Sequence, residues 1–304
     1  MAWEDDLERL TGFSGEILFR EPLAKHTYFK IGGPAKALVV PKSIDDLAAL
    51  GHFLAGRKVP IRLLGLGSNL LIRDEGLDAL CVKTTKLPAT IAEEVGGVRT
   101  GAGVAVAAFL RKAADSGWDG FEAISGIPGT LGGVVAMNGG THLGEAGDLI
   151  LEVRTFDLAN PEAGLTTRGK DALSFSYRKN HFLGPTEIVV DSLWKLVRGD
   201  PTAIRAKLDS LYRRRKETQP LDFPSCGSVF KNPKESGLRA WEVVDRLGLR
   251  GHRIGNAQIA EKHPNWILNL GNAKAKDVVA LIDLVKTRAK AELGVEMHEE
   301  VKIL

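Results

Sequence analysis

Between Ser125 and Gly140 the chain reads SGIPGTLGGVVAMNGG, and six of these residues are glycine. Pro128 centres a turn flanked by Gly126, Gly129, Gly132 and Gly133, and the small-residue run Val134-Val135-Ala136-Met137 follows. Glycine admits positive φ and lets another group approach the main chain closely. A helix opening near Thr130 would aim its free amides and positive dipole end into the same space, which suits a pyrophosphate. The same glycines could serve close helix–sheet packing instead, so the rest of the chain has to decide.

Two further glycine turns lie upstream. A strand over 61–64 ends in Gly65-Leu66-Gly67-Ser68-Asn69-Leu70-Leu71, and Gly101-Ala102-Gly103 precedes a helix expected over 104–116 and closed by Gly117. Three such turns, each at a strand end or helix start, suit a long cofactor that crosses several loops. Around them the periodicity predicts a helix over 4–10, a strand over 35–40, and a helix after Ser43 with its apolar stripe at Ile44, Leu47, Leu50 and Leu54. Strands follow over 80–83, 90–94 and 98–101, then long strands over 149–158 and 187–197. Asp200-Pro201 opens a helix that ends in the cations Arg213 to Lys216. We place a domain boundary there, near residue 200.

Composition narrows the class. At 304 residues, 44% hydrophobic and 26% charged, the chain can bury two or three cores. A net charge of +3 is too mild to argue for nucleic acid or a membrane surface. Cys81 and Cys226 cannot supply a disulfide framework, and no metal-ligand spacing occurs, so no metal is expected. The acidic start Met1-Ala2-Trp3-Glu4-Asp5-Asp6 is unlike a signal peptide, and no apolar run reaches the ~20 residues of a membrane span. The cytoplasm is the expected compartment.

In the last third, Ser228 follows Gly227 at a strand edge and is trailed by Lys231 and Asn232, a hydroxyl, a cation and an amide on one tight scaffold. No G-x-S-x-G elbow surrounds Ser228, which argues against a serine hydrolase. A helix over 238–247, strands over 258–261 and 266–270, and a helix over 277–293 closed by Gly294 are expected. His263, before Pro264, reads as a turn residue. The chain ends in a strand-like tail, Glu299-Glu300-Val301-Lys302-Ile303-Leu304.

In order, the segments HTYFKIGGPA (26–35), GLGSNLL (65–71), TGAGV (100–104), SGIPGTLGGVVAMNGG (125–140), SFSYR (174–178), GSVFKNP (227–233), GLRG (248–251), KHPNWILN (262–269) and EEVKI (299–303) span nearly the whole chain. Together they resemble the UDP-N-acetylenolpyruvoylglucosamine reductase family, also called UDP-N-acetylmuramate dehydrogenase. The lack of room for a large loop between 178 and 190 resembles its shorter-lid subtype. The resemblance implies an α+β fold: a two-part FAD-binding module of the vanillyl-alcohol-oxidase (PCMH) type over 1–84 and 85–200, and a C-terminal α+β substrate domain over 201–304. It also implies NADPH as co-substrate, peptidoglycan precursor synthesis, and a monomer.

The resemblance carries residue roles as well. Non-covalent FAD would be held by Tyr28, Ile31, Gly32, Gly65, Leu66, Gly67, Ser68, Asn69, Leu70, Gly103, Ser125, Gly126, Ile127, Pro128, Gly129, Thr130, Gly132, Gly133, Ala136, Asn138 and Ile188. Neither glycine turn that would cradle the pyrophosphate contains a histidine or cysteine for a covalent bond. Ser228 would protonate the carbon bearing the substrate carboxylate, while Arg178 and Glu300 would stabilise the enolate. Tyr177, Lys216, Lys231, Asn232, Gln258 and Lys302 would contact substrate.

Some positions depart from the family pattern. Lys302 stands where arginine is common, which keeps the charge and loses the bidentate fork. Cys226 stands where alanine is expected, and a thiol beside the proton donor predicts sensitivity to oxidation. Two other classes stay in view: another FAD-dependent oxidoreductase of the same superfamily, and a catalytically silent flavin-binding protein. A Rossmann dehydrogenase is disfavoured, because no G-x-G-x-x-G follows the first strand with an acid about 20 residues on.

Overall fold

The computed structural model describes residues 3–233 and 236–304. Met1 and Ala2, where the acidic N-terminus begins, lie outside the described residues. Helices and strands mix throughout, in two compact units that each draw on separate stretches of chain. The first unit comprises 1–19, 37–66 and 79–213; the second comprises 20–36, 67–78 and 214–304. Along the sequence the stretches of the two units alternate.

The first unit carries a five-stranded antiparallel sheet in the order Leu165–Gly169, Ile150–Asp157, Glu187–Lys195, Gly97–Gly101, Ile91–Glu94. The apolar side chains of its central strand enter two different cores, while Glu187 pairs with Arg168 and Asp191 with Arg99 and Arg154. Ile188 and Val190 join a cluster with Leu47, Leu50, Leu80 and Phe156, while Val189 and Trp194 join one with Val98, Phe109 and Val135. The strand stops at Lys195, and Val197–Arg198 pairs separately with Trp118–Asp119, so the single long strand expected over 187–197 is broken.

Local capping follows the sequence with one difference. Ser43 accepts the N–H of Asp46 at the start of the helix Ile44–Leu54, as a capping residue should. The Asp46 carboxylate reaches past Ser43 to the N–H groups of Ser14 and Lys42, and these bonds outweigh the upward push of burial to hold its pKa below the usual range. The helix expected from 104 begins at Val106, because Ala105 is held in an antiparallel bridge with Thr130.

In the second unit a four-stranded sheet runs in the order Ser225–Gly227, Trp266–Asn269, Ala257–Ile259, Arg253–Ile254. The helices Ala240–Arg246 and Ala275–Leu293 contribute Val243, Val244, Leu281 and Val285 to its core, with Phe29, Ile31 and Leu71 from the amino-terminal stretches. The tail Lys302–Ile303 lies parallel to Leu70–Leu71. Among the described residues no helix is long and apolar enough to cross a membrane, and no group of histidine, cysteine and carboxylate side chains could hold a metal ion.

Candidate functional site

In the first unit the central glycine stretch folds as a turn and then the helix Leu131–Met137, with Thr130 as its N-cap. The helix-end reading of this turn needs correction. The N–H of Leu131 donates to the Val104 carbonyl (2.8 Å), that of Gly132 to the Ala102 carbonyl (3.0 Å), and that of Gly133 to the Thr130 hydroxyl (3.4 Å). The helix's own first amides are therefore engaged. The bridge between Ala105 and Thr130 closes through Leu131 and through Val106, whose N–H meets the Gly129 carbonyl at 3.0 Å. In that pattern the N–H of Thr130 points away from Ala105. The donors on offer are thus main-chain amides of the turn before the helix, apart from Ile127, whose N–H meets the Ile124 carbonyl at 3.3 Å, and Pro128, which has none.

Two glycines flank those donors with bare faces. A Cβ on Gly65 or Gly133 would meet nothing nearer than the Thr130 hydroxyl, at 3.7 and 3.6 Å. Ser125 to Gly140 and Gly65 to Leu71 hold no carboxylate to repel an anion. Amide and hydroxyl donors around an uncrowded main chain fit a dinucleotide pyrophosphate.

Other expected contacts have structural reasons of their own. A Cβ on Gly103 would overlap the Leu87 carbonyl, and one on Gly132 would lie 2.7 Å from the Ala102 Cβ, so both serve close packing. In the second unit, Gly67 has φ +68 and faces the His26 carbonyl where a Cβ would sit, while Gly32 packs on Ile72. Ile31 and Ile188 send their side chains into cores and can offer a ligand only main chain. Tyr28 is exposed, its N–H bonded to the Gly67 carbonyl at 3.2 Å.

Arg178 occupies the two-residue turn between Phe175–Ser176 and Lys179–Asn180. Its φ is 56°, in the left-handed region where a residue with a Cβ costs roughly 1 kcal/mol or more. Its guanidinium lies 4.9 Å from the Tyr177 ring centroid, donates from Nη1 to Glu145 Oε1 (2.7 Å), and donates from Nη2 to the Gly140 carbonyl (2.7 Å). Glu145 carries no local pattern that marks it, and the sequence reading missed it. Asn138, expected near the cofactor, is buried as the left-handed C-cap of the helix and spends its amide on Glu145, Ser176 and Gly147. Ala136 lends its carbonyl to Asn180.

In the second unit Ser228 and Glu300 are drawn together through Val229. The Val229 carbonyl accepts the N–H of Glu300 at 2.8 Å, Phe230 bridges Glu299, and Lys231 donates its N–H to the His298 carbonyl at 2.9 Å. Asn265, also missed, is buried and brackets Phe230, accepting its N–H and donating to its carbonyl, both at 2.9 Å. Buried Asn269 donates to the Phe29 carbonyl at 3.0 Å and ties the 26–31 loop to the sheet. The Asn69 side chain donates to the Glu300 carbonyl at 3.0 Å. Of the two tail glutamates, Glu299 is committed to Lys286 at 2.8 Å, and that bond overcomes burial to keep its pKa low.

Lys302 and Lys231 lie close enough to repel. Desolvation first, and then Lys231, pull the Lys302 pKa below 10.5. The other expected substrate contacts have bonds within the chain. Asn232 accepts the N–H of Ala240 at 3.0 Å, Gln258 donates to the Gly251 carbonyl at 3.0 Å, and the carbonyl of exposed Lys216 accepts from Lys262 Nζ at 2.7 Å. His263 is a turn residue whose Nδ1 accepts the N–H of Asn265 at 3.3 Å, and burial lowers its pKa. The expectation for Cys226 is overturned. It is 1% exposed, and burial pushes its thiol up to about 12, so it is neither reachable nor a thiolate.

Residues 35–162 match the model of an FAD binding domain, and residues 219–304 match that of the UDP-N-acetylenolpyruvoylglucosamine reductase C-terminal domain. The UDP-N-acetylenolpyruvoylglucosamine reductase of Geobacter sulfurreducens is 40% identical over 294 residues, covering 95% of this chain and 94% of its own length. That of Syntrophomonas wolfei is 36% identical over 288 residues, 95% of each chain. The crystal structure of the Thermus caldophilus enzyme superposes with a TM-score of 0.78 at 32% identity, over 96% of this chain and 99% of the other. The chain belongs to the UDP-N-acetylenolpyruvoylglucosamine reductase family.

Proposed function

We propose that the protein reduces UDP-N-acetylglucosamine enolpyruvate to UDP-N-acetylmuramate for peptidoglycan synthesis, as an FAD- and NADPH-dependent oxidoreductase. When bound, FAD would supply the hydride, with NADPH as the reductant. The turn over Gly126–Thr130 and the bare faces of Gly65 and Gly133 hold its pyrophosphate. Ser228 gives its hydroxyl proton to the carbon that bears the carboxylate, completing addition of hydride and proton across the C=C bond. The enolate that precedes this transfer carries its charge on the substrate carboxylate. Arg178 meets that charge with the paired donors of a guanidinium, and Glu300 meets it as a proton-bearing acid.

A serine hydroxyl is a weak acid, so its alkoxide needs a donor close by, and Lys231 fills that role. Tyr177, Lys216, Asn232, Gln258 and Lys302 bind the sugar nucleotide. FAD-binding subdomains over 1–84 and 85–200 and a substrate domain over 201–304 divide the labour. The enzyme works as a cytoplasmic monomer, without nucleic acid or membrane insertion.

What supports the reading is the 2.8 Å bond from the Glu300 N–H to the Val229 carbonyl, one residue past the expected proton donor. The test is anaerobic: reduce the flavin with NADPH, add UDP-N-acetylglucosamine enolpyruvate, and follow the visible spectrum. Bleaching and then return of the yellow absorbance is expected. Bleaching without return would leave a flavoprotein with another substrate.

A further inference from the structure

We propose that Glu145, itself held by Asn138, is a positioning residue that presents Arg178 to the substrate carboxylate. The proposal rests on the carboxylate-binding role given to Arg178 above. An arginine in a left-handed turn position needs something to hold it there, because glycine or asparagine is the usual occupant. Glu145 does this from one oxygen. Its Oε1 accepts the Arg178 main-chain N–H at 3.3 Å and Nη1 at 2.7 Å, fixing the backbone and the tip of the side chain together. The Gly140 carbonyl, at 2.7 Å from Nη2, sets the guanidinium plane.

The other Glu145 oxygen is fixed in turn. Oε2 accepts from Asn138 Nδ2 at 2.8 Å. Asn138 is 2% exposed, and its remaining polar capacity is used: Nδ2 also donates to the Ser176 carbonyl at 3.0 Å, and Oδ1 accepts the Gly147 N–H at 2.8 Å. Swinging Glu145 toward solvent would strand a buried amide proton, which costs about 1–3 kcal/mol. One carboxylate thus has its two oxygens assigned to different tasks. A guanidinium fixed before the ligand arrives spends little further conformational entropy on orienting it.

Such a role has a signature that a merely structural one lacks. Glu145 also tempers the positive charge of Arg178, so removing it should not weaken attraction for an anion; it should spoil orientation. Glu145→Ala is expected to slow flavin reoxidation by the enolpyruvyl substrate at least tenfold. Reduction by NADPH and FAD content should stay near wild type, Tm should fall by only the few degrees that a stranded Asn138 amide implies, and the substrate Kd of the oxidised enzyme, measured by calorimetry, should not rise more than threefold. Glu145→Gln keeps an oxygen for Arg178 while setting an amide against Asn138, and should recover part of the rate. In an Arg178→Ala background, Glu145→Ala should cost nothing more, since groups acting through one another are not additive.

Equal slowing of both half-reactions, or full multiplication of losses in the double variant, would overturn the proposal. A wild-type enzyme that reduces with NADPH but is never reoxidised by this substrate would instead remove the assignment of Arg178, and this proposal with it.

Discussion

The side-chain amide of Asn69 donates to the main-chain carbonyl of Glu300 at 3.0 Å, and the Asn69 carbonyl accepts the N–H of Lys302 at 3.0 Å. One residue of a glycine turn therefore grips the C-terminal tail on both sides of Val301. Asn69→Ala should remove about 1 kcal/mol of stability and slow turnover with substrate, because the Glu300 main chain loses its lateral hold. Asn69→Asp, which keeps the size and loses the donor, should behave like alanine. Steady-state kinetics at matched FAD content checks this, and wild-type turnover in both variants would show that the tail is placed by its other bonds.

Gly227 sits where any Cβ would overlap the indole of Trp266, its antiparallel partner in the sheet. The ring packs on the main chain one residue before Ser228. Gly227→Ala is expected to destabilise by roughly 1–3 kcal/mol, the usual range for overpacking, and to impair activity through displacement of Ser228. Trp266→Leu in the same chain should relieve part of the stability loss. Urea unfolding of the two single variants and the double decides the matter, since additive losses would mean the ring is not the obstacle.

Cys226 and Cys81 are both buried, and both thiols are pushed up to about 12, chiefly by burial. An aromatic disulfide reagent at pH 8 should leave both unmodified in the folded protein and titrate both in denaturant. Rapid modification of one thiol in the native enzyme, with loss of activity, would reinstate the oxidation sensitivity that its place beside Ser228 suggests.

Features with a local cause were legible before the fold was known. Ser43 and Thr130 cap the helices their positions imply, Asp200 accepts the N–H of Ala203, and Gly294 ends the long helix with φ 68°. Features with a distant cause were not. Residues 20–36 and 67–78 share a compact unit with 214–304, and their own periodicity carries no mark of partners so far along the chain. The helix near 130 was foreseen, yet its first amides are taken by Val104 and Ala102, a pairing that only tertiary structure creates. Glu145, Asn265 and Asn269 are isolated polar residues whose importance lies in what they reach, and spacing records none of it. Burial likewise settled Cys226 against a reading based on adjacency alone.

Lys302 gives the pH dependence a definite sign. Desolvation, reinforced by Lys231, lowers its pKa from 10.5. The folded state therefore releases this proton more readily than the unfolded chain does. Stability rises with pH wherever the unfolded state binds more protons. The contribution from Lys302 is thus favourable above 10.5 and lost as pH falls through the depressed value, so at neutral pH the charged lysine weakens the fold. Lys302→Met should raise Tm at pH 7, with an advantage that shrinks as pH approaches 10.5. An anion bound between Lys302 and Lys231 would reverse the balance, since it favours the charged form. The sugar nucleotide should then bind less tightly as pH rises, starting below the range of an ordinary lysine, and Lys302→Met should flatten that alkaline decline. A decline that persists unchanged in the variant would place the titrating group elsewhere.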